Sequence, residues 1–176
     1  MPDDLLFRNR YRIPSARLVS WDYRWAGGYY VTICTLGRVH WFGEVVDGEV
    51  LLSRIGEVIA LEWLKIPRSH PRVILDEWIV MPDHLHGILI FRGMPERDSG
   101  PLAQSLGSAM GQFKSKATKR IWGDLRQPEF DWQERFHDTI LRDQEDLDRV
   151  RAYIRDNPRR WSERQQNPTA TVRRRR

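Results

Sequence analysis

The sequence RVILDEWIVMPDHLHGILIF, residues 72 to 91, contains two apolar runs separated by the turn-like residues MPDH. Runs of this length that are rich in Val, Ile and aromatic residues are typical of β-strands. Pro82 has no backbone N–H to donate, so it fits a turn better than the interior of a sheet. The stretch therefore predicts a β-hairpin whose second strand begins with His84 and His86.

The flanking sequence alternates between strand-like and helical segments. The strand-like segments are residues 29–35, a hairpin over residues 38–53 with Asp47-Gly48 at its turn, and residues 137–142. Helical periodicity covers residues 53–67, 102–122 and 143–157, with a polar loop over residues 92–101. Ser53 and Asp143 are expected to cap the first and last helices, and Pro67 and Pro158 to end them. The order predicts a ferredoxin-like α+β fold, in which helices pack on a central antiparallel sheet.

Composition excludes several classes of protein. Of the 176 residues, 40% are hydrophobic and 30% are charged, which suits a single soluble domain. No apolar run reaches the roughly 18 residues that a membrane span requires, and the N-terminus does not read as a signal peptide, so we expect a cytoplasmic protein. Because Cys34 is the single cysteine, an internal disulfide is excluded and any metal needs His, carboxylate or amide ligands.

The net charge of +5 is unevenly distributed. From Arg149 to Arg176 there are ten arginines and two acids, a balance of +8, which leaves −3 for the rest of the chain. Such a segment is typical of a site that binds a polyanion, most commonly nucleic acid, although a solvated tail has the same pattern. We expect one domain over residues 1–165 with a basic N-terminal arm, followed by a disordered Arg-rich tail over residues 166–176.

His84 and His86 are candidate metal ligands. Successive side chains of a strand alternate between its faces, so these two imidazoles point to the same side, about 7 Å apart along the strand. They could bind one metal ion together. Taken alone, the pair is also consistent with two ordinary histidines on a half-exposed sheet face.

The last predicted helix carries a second candidate pair, Tyr153 and Asn157. Because they are four residues apart, they are neighbours on one helix face, beside an apolar stripe formed by Leu147, Val150 and Ile154. Asn157 offers an amide oxygen to a hard cation, and the Tyr153 hydroxyl can act as a nucleophile. The alternative is a tyrosine at the edge of the core and an asparagine that ends the helix.

Several motifs in the same order resemble one known family. They are YYVTICTLGRVHWFGEV, MPDHLHGILI, GQFKSKATKRI, WQERFHDTILRDQEDL and YIRDNPRRW. Together they span roughly residues 9–161 and resemble the single-tyrosine HUH transposases, in particular the REP-associated tyrosine transposases.

The resemblance implies a metal-dependent DNA nicking and rejoining enzyme of the HUH endonuclease type. By motif position, His84, His86 and Asn157 would hold Mg²⁺ or Mn²⁺, and Tyr153 would attack DNA to give a 5′-phosphotyrosine intermediate. The implied substrate is single-stranded DNA with palindromic hairpins of the REP type, and the family leaves both a monomer and a homodimer open. Two positions depart from the usual pattern. Asp83 stands where Asn is frequent, and no role can be transferred to His137.

Nucleic-acid contacts are also predicted from basic side chains. The candidates are Arg8, Arg10 and Arg12 of the N-terminal arm, Lys114, Lys116, Lys119 and Arg120 of the second helix, and Arg159 and Arg160 of the last. We expect each to contact phosphate rather than to read bases.

Two other functions fit the sequence. A non-catalytic hairpin-binding protein of the same fold would bind DNA equally well with and without metal. An unrelated phosphoesterase that uses the two histidines would cleave small phosphodiesters independently of Tyr153.

Overall fold

The computed structural model describes residues 6–7, 10–11, 26–93 and 104–166. Its strands are β1 (Leu6–Phe7), β2 (Arg10–Tyr11), β3 (Gly27–Cys34), β4 (Gly43–Val46), β5 (Glu49–Leu52), β6 (Val73–Met81), β7 (His84–Phe91) and β8 (His137–Leu141). Its helices are α1 (Arg54–Leu64), α2 (Ile66–Ser69), α3 (Leu106–Gly123) and α4 (Gln144–Gln166), with a 3₁₀ turn at Leu36–Arg38. No helix within these ranges has the length and apolar character of a membrane span.

The central sheet has four antiparallel strands in the order β6-β7-β3-β8. This order, with α1 and α3 as the two connections, is the ferredoxin-like arrangement that the sequence predicted. The β6–β7 hairpin turns at Pro82-Asp83, as expected. The β4–β5 hairpin is separate from the sheet and turns at Asp47-Gly48, where both residues have positive φ, as in a type I′ turn.

The two faces of the sheet are covered by different helices. On one face, Tyr29 and Leu85 pack against α1 and α3 in the larger core. On the other face, Tyr30 and Ile88 pack against α4, where Ile154 closes a smaller core. Leu147 and Val150 belong to the same cluster, so the predicted apolar stripe of α4 is confirmed. Strand alternation therefore places His84 and His86 on the α4 face.

Gly87 permits close packing beneath the histidines. A Cβ atom on Gly87 would lie 2.2 Å from Cζ2 of Trp63, a fully buried side chain of α1. The indole therefore packs directly against the β7 backbone, one residue after His86. This contact supports the strand from the face opposite to α4.

Both predicted helix caps are confirmed, but both proline predictions are wrong. Ser53 accepts a hydrogen bond from the Gly56 N–H, and Asp143 accepts one from the Asp146 N–H at 2.8 Å. Helix α1 already ends at Leu64, and Pro67 lies in the first turn of α2, where a missing N–H costs little.

Pro158 lies inside α4 and does not end it. An interior proline costs about 3 kcal/mol because it breaks one helical hydrogen bond. Here the helix continues because its next turn has its own contacts. Trp161 packs against His84, and Arg159 pairs with Asp156. The packing of Trp161 on the sheet and this ion pair within the helix offset the cost of the proline.

Candidate active site

His84 and His86 form a buried pair at the start of β7. Their side chains belong to residues that are only 4% and 5% exposed, and their Nε2 atoms are 3.0 Å apart. Two ligands at right angles, each about 2.1 Å from an octahedral cation, are about 3.0 Å apart. The pair is therefore spaced to bind one ion from adjacent coordination positions.

The Nδ1 atom of His84, the ring nitrogen that is not directed at His86, is held by an ion pair. Its Nδ1 lies 2.5 Å from Oδ1 of Asp83, and the second oxygen of Asp83 lies 2.9 Å from Nε of Arg38. Burial alone would raise the pKa of Asp83, but the hydrogen bond from His84 and the charge of Arg38 bring it below its usual value. Burial lowers the pKa of His84 more than Asp83 raises it. An ionised Asp83 therefore lies beside a neutral His84.

The Nδ1 atom of His86, the ring nitrogen that is not directed at His84, has hydroxyl partners instead. Its Nδ1 lies 2.8 Å from the Tyr30 hydroxyl and 2.9 Å from Oγ1 of Thr32. Burial, assisted by the neighbouring His84, lowers the pKa of His86 to about 3. Burial also raises the pKa of Tyr30 to about 12, so its phenol stays protonated at neutral pH. Both histidines are thus neutral, the form in which imidazole binds metal.

Helix α4 places three side chains over this pair. Tyr153, Asn157 and Trp161 are spaced by four residues and form one stripe of the helix. The ring centroid of Tyr153 lies 5.5 Å from that of His86, and the ring centroid of Trp161 lies 5.9 Å from that of His84. Asn157 lies between them along the helix, on the same stripe.

The side-chain oxygen of Asn157 lacks a hydrogen-bond partner. The residue is 1% exposed, its Nδ2 is 3.4 Å from the Tyr153 carbonyl oxygen, and its buried Oδ1 has no partner. Buried polar atoms are nearly always satisfied, so an unpaired acceptor on the helix stripe that covers the two imidazoles makes Asn157 a candidate ligand. Within the part of the chain described, no group of three His, Cys, Asp or Glu side chains could hold a metal ion. Two imidazole nitrogens and one amide oxygen are donors of the types that divalent cations accept, so His84, His86 and Asn157 are the candidate ligands.

Ion pairs between α4 and β6 hold the tyrosine helix on the sheet. A register shift between Leu75 and Trp78 interrupts the β6–β7 pairing at Asp76 and Glu77. Asp76 receives two hydrogen bonds from Arg151, at 2.7 and 2.6 Å, and Glu77 pairs with Arg155 at 3.1 Å. The hydrogen bonds from Arg151 lower the pKa of Asp76.

The Tyr153 side chain is half-buried and makes ring contacts on several sides. Its ring meets that of Tyr30 edge-on at 6.4 Å, and the guanidinium of Arg160 lies 5.4 Å from its centroid. These contacts fix the phenol at the edge of the histidine pair.

Most of the predicted DNA-contacting residues are already engaged within the protein. Lys114 donates to the carbonyl oxygens of Gln133 and Glu134, Lys116 donates to Ser69, Arg120 pairs with the buried Glu62, and both Arg159 and Arg160 pair with Asp156. Lys119 is exposed. The α3 residues lie on the α1 side of the sheet, opposite to the histidines. Their role in DNA binding stays a prediction.

Other predictions concern residues at the limits of the described ranges. Arg8 and Arg12 lie outside them, as do residues 94–103 and residues 167–176 of the predicted tail. Arg10 is described only as part of the backbone of β2. His137 is exposed on β8, where it pairs with Thr32.

Sequence reasoning missed the partners of the histidines, namely Tyr30, Thr32, Arg38 and Trp161. Tyr30 and Thr32 share a face of β3, but the sequence does not state that β3 pairs with β7 in this register. The spacing of Trp161, eight residues after Tyr153, was a usable signal, because it continues the stripe of Tyr153 and Asn157.

Comparison with known proteins supports the fold and the family. No protein-family model matches the chain. A protein of Haemophilus influenzae whose function is uncharacterised is 31% identical over 163 residues, which cover 85% of this chain and 89% of the relative. The two proteins belong to one family.

Solved structures provide the second comparison. The structure of a REP-associated tyrosine transposase bound to a REP hairpin matches with a TM-score of 0.60 and 21% identity, over 85% of this chain and 74% of that one. This chain therefore has the fold of that transposase, and this confirms the fold that the sequence resemblance implied. A provisionally assigned transposase from Deinococcus radiodurans has a TM-score of 0.47 and 14% identity, too low to add to this conclusion.

Proposed function

We propose that this protein is a transposase that nicks and rejoins single-stranded DNA, with Tyr153 as the nucleophile. The observation that supports this most directly is the position of the Tyr153 ring, 5.5 Å from His86, over a histidine pair whose Nε2 atoms are 3.0 Å apart. A phenol beside a cation site is the arrangement that attack on a phosphodiester requires. The REP hairpin in the matching structure supports DNA as the substrate class.

The proposed metal is Mg²⁺ or Mn²⁺. His84, His86 and Asn157 would hold it through two imidazole nitrogens and one amide oxygen. When bound, such a cation polarises a phosphate oxygen and lowers the barrier to attack on phosphorus. The unpaired Oδ1 of Asn157 supports this assignment, because the structure offers that oxygen no other partner among the described residues.

The chain's own residues would carry the covalent step. The Tyr153 oxygen forms a bond to phosphorus while the bond from phosphorus to the 3′ oxygen breaks, and the phenolic proton is transferred to the departing 3′ oxygen. This gives a 5′-phosphotyrosine and a free 3′-hydroxyl. In the reverse step a 3′-hydroxyl attacks the phosphotyrosine and the proton returns to Tyr153. Because the phosphoester energy is conserved, rejoining needs no nucleotide cofactor.

Substrate positioning would depend on the cations around Tyr153. Arg160 lies against the tyrosine ring and can pair with the phosphate that Tyr153 receives. The proposed substrate is single-stranded DNA that forms palindromic hairpins. A hairpin would bring the scissile phosphate to a fixed distance from a recognised structure, which would orient it for in-line attack.

A covalent-adduct assay tests the proposal. Purified protein is incubated with hairpin oligonucleotides and Mn²⁺, and the products are separated on a denaturing gel. We expect a shifted band that requires Mn²⁺ and is lost in Tyr153→Phe and His84→Ala. Tyr29→Phe is the matched control, since it makes the same change at a buried tyrosine in the larger core, on the opposite face of the sheet from the histidines. An adduct that survives in Tyr153→Phe contradicts the proposal, and hairpin binding without any adduct indicates a non-catalytic DNA-binding protein.

A further inference from the structure

We infer that Asp83, held in place by Arg38, is a positioning residue that fixes the tautomer of His84 and keeps its Nε2 lone pair directed at the metal position. The inference rests on the proposed function, because it assigns a role within that metal site. It does not require Asp83 to contact the metal. The carboxylate would act only through the ring of His84.

Asp83 has one partner for each carboxylate oxygen. The residue is 3% exposed, with Oδ1 2.5 Å from Nδ1 of His84 and Oδ2 2.9 Å from Nε of Arg38. Its backbone carbonyl is used separately, as the acceptor for the N–H and hydroxyl of Thr35. The turn between β6 and β7 is thus stabilised through the backbone, while the side chain is available to orient His84.

Arg38 reaches Asp83 from a turn that needs unusual backbone angles. Gly37 and Arg38 both have positive φ, +63° and +61°, in the 3₁₀ turn that follows β3. The guanidinium also donates to Sγ of Cys34 at 2.6 Å. One of its nitrogens lies 3.5 Å from Nδ1 of His84, but the carboxylate at 2.5 Å is much the closer partner. Arg38 therefore orients the carboxylate rather than the imidazole.

The tautomer of His84 follows from the chemistry of its partner. An ionised carboxylate only accepts hydrogen bonds, so Nδ1 of His84 must carry the proton. Its Nε2 then has a free lone pair, which points at Nε2 of His86, 3.0 Å away. Metal-bound histidines are commonly held by a carboxylate in this way, which also makes the imidazole a stronger ligand.

The tautomer of His86 is not fixed in the same way. Its partners, the hydroxyls of Tyr30 and Thr32, can each donate or accept. Without metal, His86 can therefore donate from Nε2 to His84 and accept at Nδ1. With metal, its proton must move to Nδ1, where the hydroxyl oxygens accept it. The site thus pairs one histidine of fixed tautomer with one that changes tautomer when metal binds.

Asp83→Asn tests the inference because an amide has a single acceptor oxygen. In the structure Arg38 and His84 use different carboxylate oxygens, so the amide NH₂ group of the variant must face one of these two donors, and that hydrogen bond is lost. We expect Mn²⁺ affinity, measured by electron paramagnetic resonance of the free ion, to fall on the order of 10- to 100-fold. Glu44→Gln, at an exposed residue of β4, is the control for the lost negative charge and should bind as the wild type does.

Removing Arg38 should partly restore metal binding to the Asp83→Asn variant. In the double variant Arg38→Met with Asp83→Asn, the amide oxygen is free to accept from His84, so part of the lost Mn²⁺ affinity should return. The single variant Arg38→Met measures how much the removed positive charge contributes by itself. A purely structural ion pair predicts no such rescue, because both single variants would then change stability and leave Mn²⁺ affinity unchanged.

Nitrogen-15 NMR of the metal-free wild type gives an independent readout. We expect His84 in the Nδ1–H form and His86 in the Nε2–H form. An Nε2–H form of His84, or an Asp83→Asn variant that binds Mn²⁺ within about 2-fold of the wild type, overturns the inference. Failure of the proposed function gives a different result, because the wild type and His84→Ala would then bind Mn²⁺ equally weakly.

Discussion

Replacing Asn157 with leucine is expected to stabilise the metal-free protein and to weaken its response to divalent metal. The two side chains have the same number and branching of non-hydrogen atoms, and the position is 1% exposed on the inner side of α4. If Asn157 had only a structural role, its replacement should make the protein less stable. A residue retained for a ligand should show the opposite sign, because its polar atom is a cost until the ligand binds.

The magnitude follows from the hydrogen bonds of Asn157. Its unpaired Oδ1 costs about 1–3 kcal/mol as a buried unsatisfied acceptor. The long hydrogen bond from Nδ2 to the Tyr153 carbonyl, at 3.4 Å, returns at most about 0.5 kcal/mol. The variant should therefore be more stable by about 1 kcal/mol, which raises Tm by about 2–4 °C for a chain of this size.

Mn²⁺ should make the wild type more stable than Asn157→Leu, the reverse of the order without metal. Mn²⁺ at about 100 times its Kd adds about 2.7 kcal/mol to the stability of a protein with one site. A variant that binds about 100-fold more weakly gains only about 0.4 kcal/mol at the same concentration. Thermal unfolding with EDTA and with Mn²⁺ measures both differences, and Asn157→Asp, which keeps an oxygen ligand, should retain the response to metal.

Two results would refute this reasoning. If Asn157→Leu is less stable than the wild type in EDTA, then Oδ1 has a structural partner and its role as a ligand loses its main support. If Mn²⁺ stabilises the variant as much as the wild type, Asn157 is not a ligand, whatever the stability in EDTA. His84→Ala should lose the response to metal in the same assay, which confirms that the effect reports this site.

Three further predictions concern packing, pH and DNA binding. Gly87→Ala should lower the free energy of unfolding by about 1–3 kcal/mol in urea, since its Cβ would overlap the buried ring of Trp63; unchanged stability would mean that the ring moves freely. Burial, and secondarily the charge of Lys116, lowers the pKa of His70, so below about pH 6.5 the unfolded chain binds more protons than the folded protein and stability should decrease as the pH decreases. His70→Gln should therefore reduce the difference between the urea midpoints at about pH 7 and about pH 5. An unreduced difference would contradict this. Lys119→Gln should reduce the slope of log K against log salt by about 0.7 for single-stranded DNA, and an unchanged slope would remove Lys119 from the contact surface.

The two hairpins were predictable because their strands and turns have strong local signals. The apolar runs on both sides of Pro82 and the Asp47-Gly48 turn indicate hairpins without any knowledge of tertiary structure. Pro158 was misread for the opposite reason. Its local effect ends a helix, but the contact of Trp161 with His84 continues it. That contact joins residues far apart in the chain, so no local pattern reports it.

The positions of the candidate ligands were predictable from the sequence, but their environment was not. The spacings of His84 with His86, and of Tyr153 with Asn157, follow from the geometry of one strand and one helix. Tyr30 and Thr32 enter the site only because β3 pairs with β7 in a register that places Thr32 opposite His86. A shift of one residue would turn both hydroxyls to the other face. Pairing register depends on the whole core, which a single sequence does not display.

Two of the predicted DNA-contacting cations among the described residues lie on opposite faces of the sheet. Arg160 contacts Tyr153 on the α4 face, whereas Lys119 belongs to α3, which packs on the other face. A helix packed on each side separates these groups by about 20 Å, since layers lie about 10 Å apart. DNA that contacts both must therefore pass around an edge of the sheet. A short oligonucleotide that occupies only the region around Tyr153 cannot reach Lys119, so its affinity should not depend on that residue. A change in the salt dependence of binding in Lys119→Gln would therefore report the part of a longer DNA that lies beyond the region around Tyr153.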